Sequence, residues 1–137
     1  MTAVGAVALG IAGAVLALWH FARSWEEGMC GNEVLSEQLS PNGKLKVVIF
    51  ERDCGATTRA TTQASIVDVR ADLPRGGGNI FVADYARGSP NAGPGGIART
   101  SARWTSDTSV VIAREAAHVF KQEPRHEGIV VSYVEQP

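Results

Sequence analysis

No Lys, Arg, Asp or Glu occurs between Met1 and Ala22, a stretch reading MTAVGAVALGIAGAVLALWHFA, and all 13 basic and 14 acidic side chains follow it. A charge-free run of this length is expected to form a helix. At about 1.5 Å per residue, Ala3 to Ala22 reach about 30 Å, the hydrocarbon thickness of a bilayer. The expected architecture is a transmembrane anchor at 1–22, a juxtamembrane linker at 23–29 and a polar domain at 30–137.

A cleaved signal peptide fits this stretch less well than a retained anchor. Secretory signals carry a basic n-region, a core of about 7 to 15 apolar residues and a small-residue cleavage site. Here no base precedes the core, and the stretch ends in Trp19, His20 and Phe21, with Arg23 just beyond. Bulky aromatic and basic groups suit an interfacial anchor, so Trp19, His20 and Arg23 are assigned that role. Ala6, Gly10, Gly13 and Ala17 recur at helical spacing and form one small-residue stripe. Such a stripe lets a second helix approach closely in a bilayer, although Ala and Gly are common throughout the segment.

Orientation rests on two opposed signals. Arg23 alone would place the domain in the cytoplasm by the positive-inside rule. The two cysteines argue otherwise. Between Cys30 and Cys54 lie two stretches of alternating apolar and polar residues around the turn Ser40-Pro41-Asn42-Gly43-Lys44. A three-residue loop of Pro41, Asn42 and Gly43 would set Ser40 against Lys44, Leu39 against Leu45, Leu35 against Ile49 and Cys30 against Cys54. Facing cysteines can close a cross-strand disulfide, and disulfides persist outside the cytoplasm. Two unpaired thiols packed as small apolar groups are the alternative. With the disulfide, the expected orientation has the N-terminus in the cytoplasm and the domain outside it.

Residues 23–137 suffice for one domain with a real core. Strand patterns recur at 61–69, 79–83, 100–104, 109–113, 118–121 and 128–134, separated by Gly-, Pro- and Asp-containing turns. The expected fold class is therefore one transmembrane helix plus an all-β domain, an antiparallel sandwich or open barrel. Tyr85 to Ile97, YARGSPNAGPGGI, breaks the pattern with four Gly and two Pro. A loop of that length inside a compact domain is functional or disordered.

Reactive constellations are scarce. Gly76-Gly77-Gly78 lacks the Gly-Lys-Ser/Thr sequel of a phosphate-cradling loop, and a β-turn is its expected use. No Gly-x-Ser-x-Gly elbow occurs. Glu115 and His118 have the spacing of some carboxylate metal ligands, yet a second pair is lacking, and a surface histidine is expected. Arg52 and Asp53 could form a local ion pair. Thr57, Thr58, Thr61 and Thr62 could form a hydroxyl ladder on an exposed face. No catalytic residue, metal site or cofactor is nominated, and dispersed bases at a net charge of −1 argue against nucleic acid.

The run from Ser40 through Lys44 to Arg52-Asp53-Cys54-Gly55-Ala56-Thr57-Thr58, with Gly78-Asn79-Ile80-Phe81-Val82-Ala83-Asp84, resembles small bacterial exported, lipoprotein-like proteins. That resemblance implies an extracytoplasmic β domain without a known activity. The Ser-Pro-Asn-Gly-Lys turn also looks like the hairpins of TolB-type propeller blades, but it occurs once and supports no propeller. These readings lead to the expectation of a non-catalytic accessory subunit, contacting the lipid bilayer and other membrane subunits. A free-standing envelope sensor using the 85–97 loop is the alternative.

Overall fold

The computed structural model describes residues 3–55, 58–84 and 99–137. The chain divides into two compact units, 1–30 and 31–137. The first holds the helix α1, Ala3–Met29. It continues through 23–29, the stretch read as a linker, and its described side chains are those of 9–22, 24 and 29. Leu9, Ile11, Val15, Leu16, Leu18, Trp19 and Phe21 are all 54–67% exposed. Among the described residues no helix is long and apolar enough to cross a membrane. The spanning anchor expected from the sequence is therefore not shown.

Among the described residues, the second unit holds nine strands in two sheets. The first sheet orders β1 (Gly31–Leu39), β2 (Leu45–Asp53), β3 (Thr61–Asp68), β4 (Phe81–Asp84) and β7 (His118–Gln122). The second orders β5 (Thr100–Ser106), β6 (Ser109–Glu115), β9 (Ile129–Gln136) and β8 (Arg125–His126). Val47, Ile49, Ala64, Ile66, Phe81 and Ala83 from the first sheet meet Val110, Ile112, Ile129 and Val131 from the second, each buried. This is a mostly β, sandwich-like arrangement. It is not purely antiparallel, because β6 and β9 run parallel. Parallel neighbours need a crossover connection. Here the chain makes it by passing through β7, which belongs to the facing sheet.

The hairpin carrying the cysteines corrects the expected register. Ser40 N donates to Leu45 O at 2.8 Å, so the loop has four residues rather than three. Asn42 organises it: its Oδ1 accepts from Ser40 Oγ at 2.8 Å and from Lys44 N at 3.0 Å. Gly43 supplies the left-handed residue, at φ +70°. Leu39 consequently faces Lys46 rather than Leu45, and Ile49 faces Ser36 rather than Leu35. A β-bulge between Val34 and Ser36 absorbs the one-residue shift. Beyond it Val34 faces Phe50 and Gly31 faces Asp53. The cysteines thus return to the expected register, and Cys30 and Cys54 are disulfide-bonded.

The first sheet is covered on both faces. Val48 and Phe50 point away from the sandwich core yet are fully buried. Residues 74–79 lie over that face, held by side chains rising from it. Asn32 Nδ2 donates to Pro74 O at 2.8 Å and to Gly76 O at 3.0 Å. Arg52 Nη1 donates to Asn32 Oδ1 at 2.8 Å and to Arg75 O. Gln63 Oε1 accepts from Gly78 N, and Ser65 Oγ from Asn79 N at 3.0 Å. The Gly76-Gly77-Gly78 stretch is thus a close-packed cover. Gly78 is required there: a Cβ would sit 2.6 Å from Phe81 O and 2.8 Å from Ala64 O.

Candidate functional site

The most chemically varied cluster of the β domain gathers around Asp84, the last residue of β4. Antiparallel pairing sets Asp84 directly opposite His118 on β7. Arg59, in the connection between β2 and β3, approaches from the other side. Asp84 is only 8% exposed. Its Oδ1 lies 3.8 Å from His118 Nδ1 and its Oδ2 3.9 Å from Arg59 Nη1. Both separations exceed a hydrogen bond. The His118 ring meets Phe120 edge-on, centroids 4.5 Å apart. Among the described residues, no group of three or more His, Cys, Asp or Glu could hold a metal ion.

A second feature lies on the second sheet. Gln38 of β1, Ser101 and Arg103 of β5, Val111 and Ala113 of β6 and Val134 of β9 line a cleft of about 470 Å³. Ser101, Ala113 and Gln136 also line a neighbouring cleft of about 360 Å³ that reaches Arg99 and Glu115. The two adjoin at these shared residues as a trough of mixed lining, with Val111, Ala113 and Val134 beside amide, hydroxyl and guanidinium groups. Arg99 and Glu115 pair at 3.6 Å at its end.

The residues singled out in the sequence are dispersed. Cys30 and Cys54 are joined. Gly10 and Gly13 lie on α1 with nothing within 4 Å of an added Cβ, and Ala17 is exposed. Trp19 and His20 meet edge-on, centroids 5.7 Å apart. The side chains of Ala6 and Arg23, and the whole of 85–97, lie outside the described residues. Glu115 and His118 turn to different partners, Arg99 and Asp84. Arg52 and Asp53 diverge as well: Asp53 Oδ1 accepts from Gly55 N at 2.9 Å, while Arg52 binds Asn32 and Arg75. Thr57 lies outside the described residues; of the others Thr58 is exposed but Thr62 is fully buried, so the described threonines form no flat ladder.

Comparison with protein-family models, characterised proteins and solved structures finds no match. The functional reading therefore rests on the chain's own residues.

Sequence reasoning missed the Asp84 cluster because its members are far apart in the chain. The signal available was an Asp closing the apolar run Ile80-Phe81-Val82-Ala83, where a strand-end carboxylate needs a cationic neighbour. The trough had no such signal. Its floor depends on β6 and β9 being neighbours, which follows from the crossover through β7.

Proposed function

We propose that this chain is a non-catalytic accessory subunit of a bacterial membrane assembly, held in the inner membrane by α1 with its β domain on the periplasmic side. The observation that carries the reading is the exposure of Leu9, Ile11, Val15, Leu16, Leu18, Trp19 and Phe21 on the part of α1 that precedes its first charged residue, Arg23. Fully burying a side chain of this size is worth about 1.5 to 3 kcal/mol, so for seven side chains each 54–67% exposed the unmet gain is roughly 6 to 13 kcal/mol. A bilayer, with a partner helix on the Ala6, Gly10, Gly13 and Ala17 stripe, supplies that cover. The Cys30–Cys54 disulfide supports the periplasmic side, because such bonds are rare in the cytosol.

The test is fractionation of the native protein. It is expected in the membrane pellet after alkaline carbonate extraction, with its domain digested by protease added outside the inner membrane and with partner subunits retained in mild detergent. Release into the carbonate supernatant overturns the anchor. Recovery as a lone monomer in mild detergent overturns the accessory role.

The trough on the second sheet favours a second reading, a ligand-binding module, because its size falls in the range of small-molecule sites. A small-molecule-dependent rise in melting temperature, abolished by Arg103→Ala, would select it.

A further inference from the structure

We propose that Asn42 is a gated modification site: its carboxamide converts to a carboxylate, with or without isomerisation of the main chain, only when the turn between β1 and β2 opens.

Asn42 and Gly43 form the one Asn-Gly step of the chain, and both are exposed. Asn is a thermolabile residue, and a glycine after it leaves the next backbone nitrogen with no side chain in the way. In the reaction Gly43 N gives up its proton and attacks Asn42 Cγ. The N–Cγ bond forms, the Cγ–Nδ2 bond breaks, and Nδ2 leaves with the proton as ammonia, which makes a cyclic imide. Water then opens the ring at either carbonyl. Opening at Cγ restores the ordinary main chain with a carboxylate on residue 42. Opening at the main-chain carbonyl routes the chain through Cβ and Cγ and lengthens it by a methylene, so the turn no longer closes as before.

The closed turn opposes the first step at both reacting groups. Gly43 N donates its proton to Ser40 O at 2.8 Å. The Asn42 carboxamide is pinned through Oδ1, which accepts from Ser40 Oγ at 2.8 Å and from Lys44 N at 3.0 Å. That backbone bond makes Asn42 the third residue of a turn, and its φ is not positive. In the common turn of this kind ψ at the third position is about 0°, which directs the next nitrogen away from Cγ. Attack therefore needs rotation about the Asn42 Cα–C bond, and the rotation breaks the bond from Gly43 to Ser40. Asn42 N also donates to Asp107 Oδ1 at 2.8 Å, which ties this turn to the one between β5 and β6. The turn is nevertheless able to open locally, because strand pairing starts beyond it, at Leu39 and Lys46.

The experiment is timed incubation of the full-length chain in mildly alkaline buffer with mild detergent, with and without urea. Fragmentation of tryptic peptide 24–44 assigns the mass gain to Asn42, and retention time separates the isomerised product. The folded chain is expected to convert at least about tenfold more slowly than the chain in urea. Ser40→Ala removes a donor to Oδ1, and Asp107→Ala removes the tie to the neighbouring turn. Each should speed conversion of the folded chain by about three- to tenfold and leave the rate in urea unchanged. Tyr133→Phe, which loosens the fold without touching the turn, should leave the folded rate as it is. Equal rates with and without urea overturn the gate. So does an acceleration by Tyr133→Phe that matches Ser40→Ala, because the whole fold would then control the reaction. Retention of the amide in urea overturns the site itself.

Discussion

Asn79 pairs with Ile66 as a strand residue would, but through its side chain. Its Oδ1 accepts from Ile66 N at 2.9 Å and its Nδ2 donates to Ile66 O at 2.8 Å. Ile66 is buried, so both backbone groups depend on this carboxamide at the point where β4 has not yet begun. Asn79→Ala leaves a buried donor and acceptor unmatched, and the expected loss is about 2 to 4 kcal/mol of unfolding free energy. Asn79→Asp keeps the acceptor but sets a carboxylate oxygen against Ile66 O, so it should not rescue the loss. Urea denaturation of both variants checks this. An Asn79→Asp variant as stable as wild type would show that the donor half of the pair is dispensable.

The glycines of the 74–79 cover are not equivalent. A Cβ at Gly78 would meet backbone oxygens of Phe81 and Ala64 below 3 Å, whereas one at Gly76 meets nothing within 4 Å. Backbone in a sheet cannot step aside as a flexible side chain can. Gly78→Ala is expected to cost about 2 to 4 kcal/mol, and Gly76→Ala to stay within about 0.5 kcal/mol of wild type. Thermal melts of the two variants side by side decide the matter. Similar losses at both positions would mean that glycine's flexibility, rather than the close approach, is what the cover needs.

The bulge at Leu35 is a register corrector. Val34 faces Phe50 and Ser36 faces Ile49, so Leu35 is the unmatched residue. Removing Leu35 yields a continuous ladder with every remaining pair unchanged. The deletion is expected to fold, to retain the Cys30–Cys54 bond and to stay within about 1 kcal/mol of wild type, since Leu35 is half exposed and buries little. Intact mass after alkylation without reductant reads the bond directly. Two alkylated thiols would show that the bulge shapes the strand in a way the disulfide requires.

That hairpin also shows what was legible in the sequence. The cysteine end of the register is readable because two cysteines and the alternating pattern between them agree. The turn end is not, because Asn42 accepts from both Ser40 and Lys44 N and so closes four residues where three were expected. Strands at 61–68 and 109–115 follow from β-branched residues between turn signals. Their sheet membership does not, because β7 crosses to the facing sheet and no local pattern records which sheet a strand joins. The 79–83 strand begins two residues late for a related reason: Asn79 does the pairing with its side chain, and backbone pairing starts at Phe81. Likewise, Gly76-Gly77-Gly78 reads as a turn in isolation, and its role as a cover appears only once Asn32, Arg52 and Gln63 are assembled beneath it.

The Tyr133 hydroxyl sits between two carbonyls, 2.9 Å from Ile80 O and 2.7 Å from Glu123 O, and its ring lies 5.8 Å from that of Phe81. It ties β9 to the start of β4 and to the end of β7, and so links the two sheets. Removal of its water shell raises its pKa well above the ordinary tyrosine value, and the charge of Glu123 adds to the rise. With the folded-state pKa above the unfolded one, the native protein holds a proton that the unfolded chain releases in alkali. The resulting stability is fully present below about pH 10, the unfolded value, and declines as pH rises from there towards the folded value. Tyr133→Phe is expected to lose about 1 to 2 kcal/mol at pH 7 and to flatten the alkaline decline. Denaturation midpoints of both proteins between about pH 8 and pH 11 make the comparison. Parallel decline in the two would place the alkaline sensitivity elsewhere, leaving the Tyr133 hydroxyl a purely geometric tie.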